Sequence, residues 1–505
     1  MAKKDITSLR GTLDYLKGQN KVIEIDKEVD PICEISGLLK ALDGGPAITF
    51  TNIKGYPEIR NVGNLISTRE SISNIFGWNG PKAALENCRQ ALFNHIPPQI
   101  VEDAPCQEVI IAEDIDLLNI LPVIQHTKKD VGRIIGGGIY LISGDYFDGG
   151  TEISFKRTMP LGKNLASVMF VGGTHIWHVA KKHEGEKIPT TINIGTPPAV
   201  LIVAGGGGIS AGMPWGGDEL GIAGALQGAP VTICKAKTVD AYAIAQSEWV
   251  IEGYIHATQN VWESKEAEKV GRGRIAPFFP EWPKYFGRAR KVWSFEATAI
   301  THRREKPYYY TPLADSFESD MTYALLREAY FYHLAEGLAP GLVQDVNQLY
   351  PAFQSLKVKV KKRGAYDDGW IHNLIVNAFA AFTGLRLAVF VDEDVDIHNG
   401  EDVFWAMATR VHPESDLFMI PGGKGTGMMP IEASDQTTGQ VLRTGTFFKG
   451  IGIDATIPFS LKWNFERANY PSGEINLEKW LSNEDIAAVR AVQSDYAKLL
   501  ARIGG

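Results

Sequence analysis

From residue 106 to about residue 312 the chain is a succession of short, apolar, β-prone runs cut by glycine. No other feature limits the fold as strongly. The runs are "IIGGGIYLIS", "LASVMFVGG", "TTINIG", "AVLIVAGGGG", "APVTICKA", "EWVIEGYI" and "VWSFEATAI". Few segments here have the length and period of a helix, and the glycines supply tight turns between strands. Many short strands joined in this way predict an antiparallel, split β-barrel-like domain over 106–312.

The flanks read differently. In residues 1–105, Leu9 to Lys17 has helical spacing, "NKVIEID" reads as a strand, "PICEISGLLKALDGG" as a helix ended by Gly44 and Gly45, and "PAITFTNI" as a strand. This is a small α/β unit. Residues 313–505 alternate again. "DMTYALLREAYFYHLAEGL" is a helix that Asp320 caps and Gly337 ends, "LKVKVKK" a strand, and "HNLIVNAFAAF" a helix. "LRLAVFVDEDVDI" is a buried strand running into an acidic loop. The tail "SNEDIAAVRAVQSDYAKLLARI" predicts one final amphipathic helix, capped by Ser482 or Asn483, with Ile486, Val489, Val492, Tyr496 and Leu499 on one face. The expected fold is α+β and multidomain: an α/β unit at 1–105, a barrel-like unit at 106–312 and an α/β unit at 313–505. A chain of 505 residues is too long for one core.

Charge narrows the function classes. The formal net charge is −8, which argues against a nucleic-acid binder, whose surface carries a basic face. The cysteines Cys33, Cys88, Cys106 and Cys234 form no CxxC, so neither a structural zinc site nor a disulfide framework is expected. Free thiols fit a reducing cytoplasm. The start "MAKKDITSLRG" has no apolar signal-peptide core, and no apolar run reaches the roughly 18 residues of a membrane span.

Several motifs fail on inspection. Gly206-x-Gly208-x-x-Ala211, after the strand-like "AVLIVA", fits a loose dinucleotide fingerprint. That site needs a helix immediately afterwards to hold the pyrophosphate, and Pro214, Gly216 and Gly217 prevent one. "VDEDVD" lacks the spacing of a calcium loop and reads as a solvated strand end, while "VKVKKRG" reads as a charged strand edge. His95, His333 and His372 lie in apolar or helical stretches and read as structural. There is no GxSxG and no HExxH. One constellation remains. "TEISFKRTMP" places Glu152 and Arg157 on a strand, "GGTHIWH" brings His175, and "GGDELGIAGAL" brings Glu219. Two carboxylates and an imidazole form an oxygen/nitrogen set suited to a divalent ion.

Together these stretches resemble the UbiD family of decarboxylases, along nearly the whole chain. The resemblance is carried by "VIEIDKEVDPICEI", "APCQEVI", "LPVIQH", "ELGIAGALQGAPV" followed by "SEWVIEG", and "VDEDVDIHNGEDVFWAMATR". It implies prenylated FMN as cofactor, a divalent metal (Mn2+, Mg2+ or Fe2+), potassium, and a UbiX-type flavin prenyltransferase that supplies the cofactor. It implies metal ligation by Glu152, His175 and Glu219, with Glu152 standing where asparagine is common. The cofactor-binding set becomes Glu152, Ile153, Ser154, Arg157, Thr174, His175 and Glu219. Ser210, Ala211, Met213 and Ala408 match potassium positions.

The family's Glu-Arg-Glu network maps onto Arg157 and, in "FFPEWPKYFGRAR", onto Glu281; at the place of the second glutamate stands Arg288. Glu281 alone, or His302 in "AITHRRE", is then the expected proton donor. Arg288 with His302 or Arg303 is expected to contact a second acidic group, which favours dicarboxylates or aryl-CoA-type acids. The family's phosphate-binding lysine is missing near Ala380 and Ala381, leaving Lys361 or Lys362 as substitutes. The implied activity is reversible, non-oxidative decarboxylation of an aromatic or heteroaromatic acid by a homo-oligomer (dimer or hexamer). The alternatives are a carboxylase running the reverse reaction, or a flavin-binding subunit without activity.

Overall fold

The computed structural model describes residues 4–206, 212–271, 275–348, 354–424, 447–468 and 470–503. The predicted helix Leu9–Lys17 forms, with the Ser8 side chain accepting from the Gly11 amide at its start. Val22–Ile25 runs parallel to Ala47–Phe50, which pairs antiparallel with Arg60–Gly63. The fourth strand of this sheet is Tyr308–Tyr310, more than two hundred residues later in sequence. The chain therefore returns from the middle region to complete the N-terminal unit.

Most of the glycine-cut runs build one antiparallel sheet of eight strands, while "APVTICKA" supplies Thr232–Lys235 of a separate three-stranded sheet. Its order is Thr151–Phe155, Ile139–Ser143, Lys187–Ile194, Trp249–Trp262, Lys291–His302, Leu165–Val168, Thr158–Pro160. Val109–Ile111 pairs with Lys291–His302 at one side. The first and last strands of this order are separated in sequence only by Lys156 and Arg157. The link from Phe155 to Thr158 is three Cα–Cα steps, about 11 Å at most, so the two edges must approach each other and the sheet must curl. Lys156 and Arg157 sit at the seam.

One run departs from the strand reading. Pro198–Gly205, within "AVLIVAGGGG", is a helix, and every residue from Pro198 to Ala204 is buried. An apolar run without polar interruptions has no period to distinguish a buried strand from a helix enclosed on all sides. Here the long helix Phe317–Leu338, the helix Glu219–Gln227 and the strand Thr151–Phe155 surround it. Proline at its first turn needs no amide partner.

A close backbone approach fixes the start of the helix Glu219–Gln227. The Thr151 amide donates to the Gly217 carbonyl (3.1 Å), and the Thr151 hydroxyl donates to Asp218 Oδ1 (2.6 Å) and accepts from the Leu220 amide (2.9 Å). A β-carbon on Gly150 would stand 2.3 Å from the Gly216 carbonyl oxygen. Gly150→Ala is therefore expected to destabilise the protein by about 1–3 kcal/mol, as overpacking does, and to displace Glu219. Urea unfolding checks this; a midpoint equal to the parent's rejects it.

The C-terminal sheet has the order Val343–Asn347, Ser355–Val360, Leu387–Asp392, Phe447–Ala455, Leu417–Lys424. Several expectations need correction here. The long helix is capped by Ser316, whose side chain accepts from the Ser319 amide, not by Asp320; it continues through Gly337 to Leu338. "LKVKVKK" is not an edge, since strands flank it on both sides. "VDEDVD" is less solvated than expected: Asp392 is buried and accepts from the Ile457 amide, and Arg410 pairs with Asp392 and Asp394. The tail forms two helices, Asn483–Val492 and Asp495–Ile503, with Ser482 capping the first. Only Ile486 of the predicted face is buried, and Val492 is 85% exposed. With little core beneath it, the run has no packing to hold a break-free helix, and Ser494 recaps the chain through the Ala497 amide. No helix among the described residues is long and apolar enough to cross a membrane.

Candidate active site

A cavity of about 340 Å3 opens where the seam of the curled sheet faces the start of the long helix. Glu152 to Arg157 form one wall; Leu313, Ser319, Thr322 and Tyr323 form the opposite one, and Thr383 of the C-terminal unit closes one side.

Arg157 lies in the two-residue link just after the strand Thr151–Phe155, not within it. It is held between two carboxylates. Its Nε and Nη2 both approach Glu263 Oε1 at 2.6 Å, and its Nη1 donates to Glu281. Nη2 also lies 3.2 Å from Met169 Sδ. Burial by itself lowers the guanidinium pKa, but Glu263 and Glu281 outweigh it and the net shift is upward. Arg157 is thus a permanent cation. Burial also raises the Glu263 carboxyl, with Arg157 opposing. Glu263 Oε2 is buried with no hydrogen-bond partner. Glu281 stands at the turn of the hairpin Ile275–Pro280 / Phe286–Arg288, its amide donating to the Tyr285 carbonyl (2.9 Å).

Glu263 is the residue that sequence reasoning missed. It follows the last residue of the strand Trp249–Trp262 and precedes Ser264, which caps a short helix. Nothing in "VWESKEA" marks it; only the pairing of long strands brings it to Arg157, 106 positions away. Arg157 is therefore held in a Glu263–Arg157–Glu281 chain, with Glu263 at the place where the family resemblance had put Arg288. Arg288 ends the strand Phe286–Arg288, its backbone paired with Ile275.

The second cluster lies at the other end of the wall. His175 and Glu219 are the first residues of two helices, and Glu152 is on the strand between them and the seam. All three are buried. His175 Nδ1 lies 3.0 Å from Glu219 Oε1, and Glu219 Oε2 accepts from the Ile153 amide (2.8 Å). Glu152 Oε1 accepts from the Ser154 hydroxyl (2.6 Å). Glu152 Oε2 and His175 Nε2 are buried without partners. Burial drives the Glu152 carboxyl above its usual range, Lys156 opposes this and Glu219 adds to it.

Among the described residues no three His, Cys, Asp or Glu side chains converge as a ready metal cage. The two unpartnered atoms, with Glu219 orienting the imidazole, fit an ion that takes its remaining ligands from a bound anion. Thr174, Ile153 and Ser154 line the same cavity.

Other expected residues lie elsewhere. His302 packs at a tilt on Trp249 (ring centroids 4.4 Å apart), its Nδ1 is 2.6 Å from the Arg303 carbonyl, and it does not line the cavity. Arg303 is engaged by Glu248 and Gln246. The reading of a second acid-binding point therefore loses both. Lys362 pairs with Asp368 and the Ile457 carbonyl, and Lys361 is exposed. Neither reaches the cavity; Lys156 does. Met213 is buried, Ala408 is exposed on the helix Gly400–Arg410, and Ser210 and Ala211 lie outside the described residues.

Comparison with known proteins agrees with this layout. Three family models match in order: the 3-octaprenyl-4-hydroxybenzoate carboxy-lyase N-terminal domain at residues 13–92, its Rift-related domain at 99–315 and its C-terminal domain at 320–454. A gallate decarboxylase of Lactiplantibacillus plantarum is 30% identical over 485 residues, covering 92% of this chain and 96% of the relative. The UbiD-class enzyme HmfF of Pelotomaculum thermopropionicum, solved in complex with FMN, shares 31% identity at a TM-score of 0.81, covering 94% of this chain and 100% of that one. The apo 3,4-dihydroxybenzoic acid decarboxylase of Klebsiella pneumoniae shares 29% identity at a TM-score of 0.82, covering 94% of this chain and 99% of that one. With all three domains matched in sequence and in three dimensions, and an arginine clamped between two glutamates on the cavity wall, the chain belongs to the UbiD family of carboxy-lyases.

Proposed function

We propose that this protein removes CO2 without oxidation from an aromatic or heteroaromatic carboxylic acid, using prenylated FMN supplied by a UbiX-type flavin prenyltransferase. The observation that carries this reading is the buried Glu263–Arg157–Glu281 chain on the cavity wall. A carboxylate leaving an aromatic ring would strand an electron pair that no side chain can delocalise; the bound modified flavin supplies that sink.

The chain's own residues do the rest. Arg157, held charged by its two partners, presents a fixed cation to the substrate carboxylate. Glu281, at the hairpin turn and facing the cavity, moves the proton to the ring carbon. Glu263 holds the guanidinium plane through its contacts to Nε and Nη2. At the far end, Glu152, His175 and Glu219 would hold the divalent ion, and the potassium reading of Ser210, Ala211, Met213 and Ala408 is carried by the sequence resemblance alone. The names of the relatives, gallate and 3,4-dihydroxybenzoic acid decarboxylases, support an aryl acid as substrate. Exposed apolar residues in the C-terminal third, among them Phe404, Trp463, Trp480 and Val492, support a homo-oligomer.

The test is co-expression with a flavin prenyltransferase, followed by an absorbance spectrum and a screen of aryl acids for CO2 release. Bound modified flavin and release from at least one acid are expected. Protein that acquires no modified flavin under these conditions overturns the reading.

A further inference from the structure

Lys156 is a buried charge that the chemistry above leaves unused. It sits at the seam beside Arg157, 9% exposed, and lines the cavity. Among the described residues, no hydrogen bond or ion pair engages its ammonium. The charges it feels are carboxylates, Glu152 first and then Glu219. The ammonium opens onto the cavity, where a bound anion is the partner that would offset its burial.

Charge counting shows what it does. Glu152 and Glu219 place two negative charges on a wall that must receive a phosphate. A divalent ion cancels those two and leaves nothing in excess for the phosphate. Where a neutral asparagine stands in place of Glu152, the same ion leaves one positive charge over. Lys156 restores that excess here.

We infer that Lys156 binds the cofactor phosphate and is matched to Glu152, cancelling the charge this glutamate brings to the phosphate end of the cavity. The lysine that the family resemblance placed on the C-terminal helix is thereby replaced from the sheet seam. A substrate carboxylate is the competing ligand for this ammonium, because Arg157 is its neighbour.

This inference rests on the reading of the cavity as a flavin site, and riboflavin separates the two, since it carries the ring system of FMN but no phosphate. Full-length apoprotein is titrated with FMN and with riboflavin, in Mn2+ and again in EDTA, following quenching of flavin fluorescence. Lys156→Met is expected to weaken FMN by about 10- to 100-fold, the worth of one charge-assisted hydrogen bond, and to leave riboflavin unchanged. Lys156→Arg is expected to recover most of the loss. Glu152→Asn combined with Lys156→Met is expected to bind FMN better than Lys156→Met alone.

Equal FMN affinity in the parent and Lys156→Met overturns the inference, as does an equal loss for FMN and riboflavin, which marks a structural role or a substrate-facing one. A parent protein that binds neither flavin counts instead against the proposed function.

Discussion

Arg157→Ala is expected to abolish turnover and to weaken the fold at the same time. The substitution leaves Glu263 and Glu281 without the cation between them, and the Glu281 charge then raises the Glu263 carboxyl unopposed by the guanidinium. Removing one partner from a buried ion pair costs about 3–5 kcal/mol, because the remaining charge has no compensation. Losing a fixed cation and the proton donor it orients is expected to lower kcat/KM by about 10²–10⁴-fold. Arg157→Lys keeps the charge but not the planar fork that meets both carboxylates. It is expected to recover stability and little activity. Urea unfolding paired with a CO2-release assay reads both effects. A variant with the parent's midpoint and turnover would remove Arg157 from the mechanism.

The second large effect falls on Glu263, which no motif announces. Glu263→Gln preserves shape and leaves an oxygen to face Arg157, so the fold is expected to hold while kcat/KM falls by about 10²–10⁴-fold. Arg288→Ala, at the position the family resemblance first suggested, is expected to cost far less. If the two variants exchange these outcomes, the Glu263–Arg157–Glu281 assignment fails.

Glu263 also predicts a pH dependence. Its folded pKa lies above the unfolded value of about 4.3. Between those two values the folded state binds more protons than the unfolded one, so stability falls as pH rises through that window and levels off above it. Glu263→Gln should flatten this slope when unfolding is followed from acidic to neutral pH. A slope identical to the parent's argues against a buried, raised carboxyl at this position.

Much of the architecture was legible residue by residue. Helices with a clear 3.6-residue period and a local cap, such as Leu9–Lys17, and strands cut by glycine, such as Lys187–Ile194, declare themselves because the signal lies within a few residues. The stretch Pro198–Ala204 did not, because complete burial erases the polar face on which periodicity depends. The tail misled for the opposite reason: its pattern is amphipathic, but almost nothing packs against it.

The site divides along the same line. Glu152, Arg157, His175, Glu219 and Glu281 could be named from short motifs and a family likeness. Glu263 and Lys156 could not. Glu263 meets Arg157 only through the pairing of strands far apart in sequence, and Lys156 becomes a cavity residue only because the sheet curls until its edges meet. His302 shows the converse, since its closeness in sequence to other candidates put it in a site from which packing against Trp249 removes it. Residue type and local period are properties of the chain alone, and they set the strands, the turns and the family. Which charges face one another across a buried cavity depends on register and closure. Those are decided by contacts among all the strands at once, and only the folded sheet contains them.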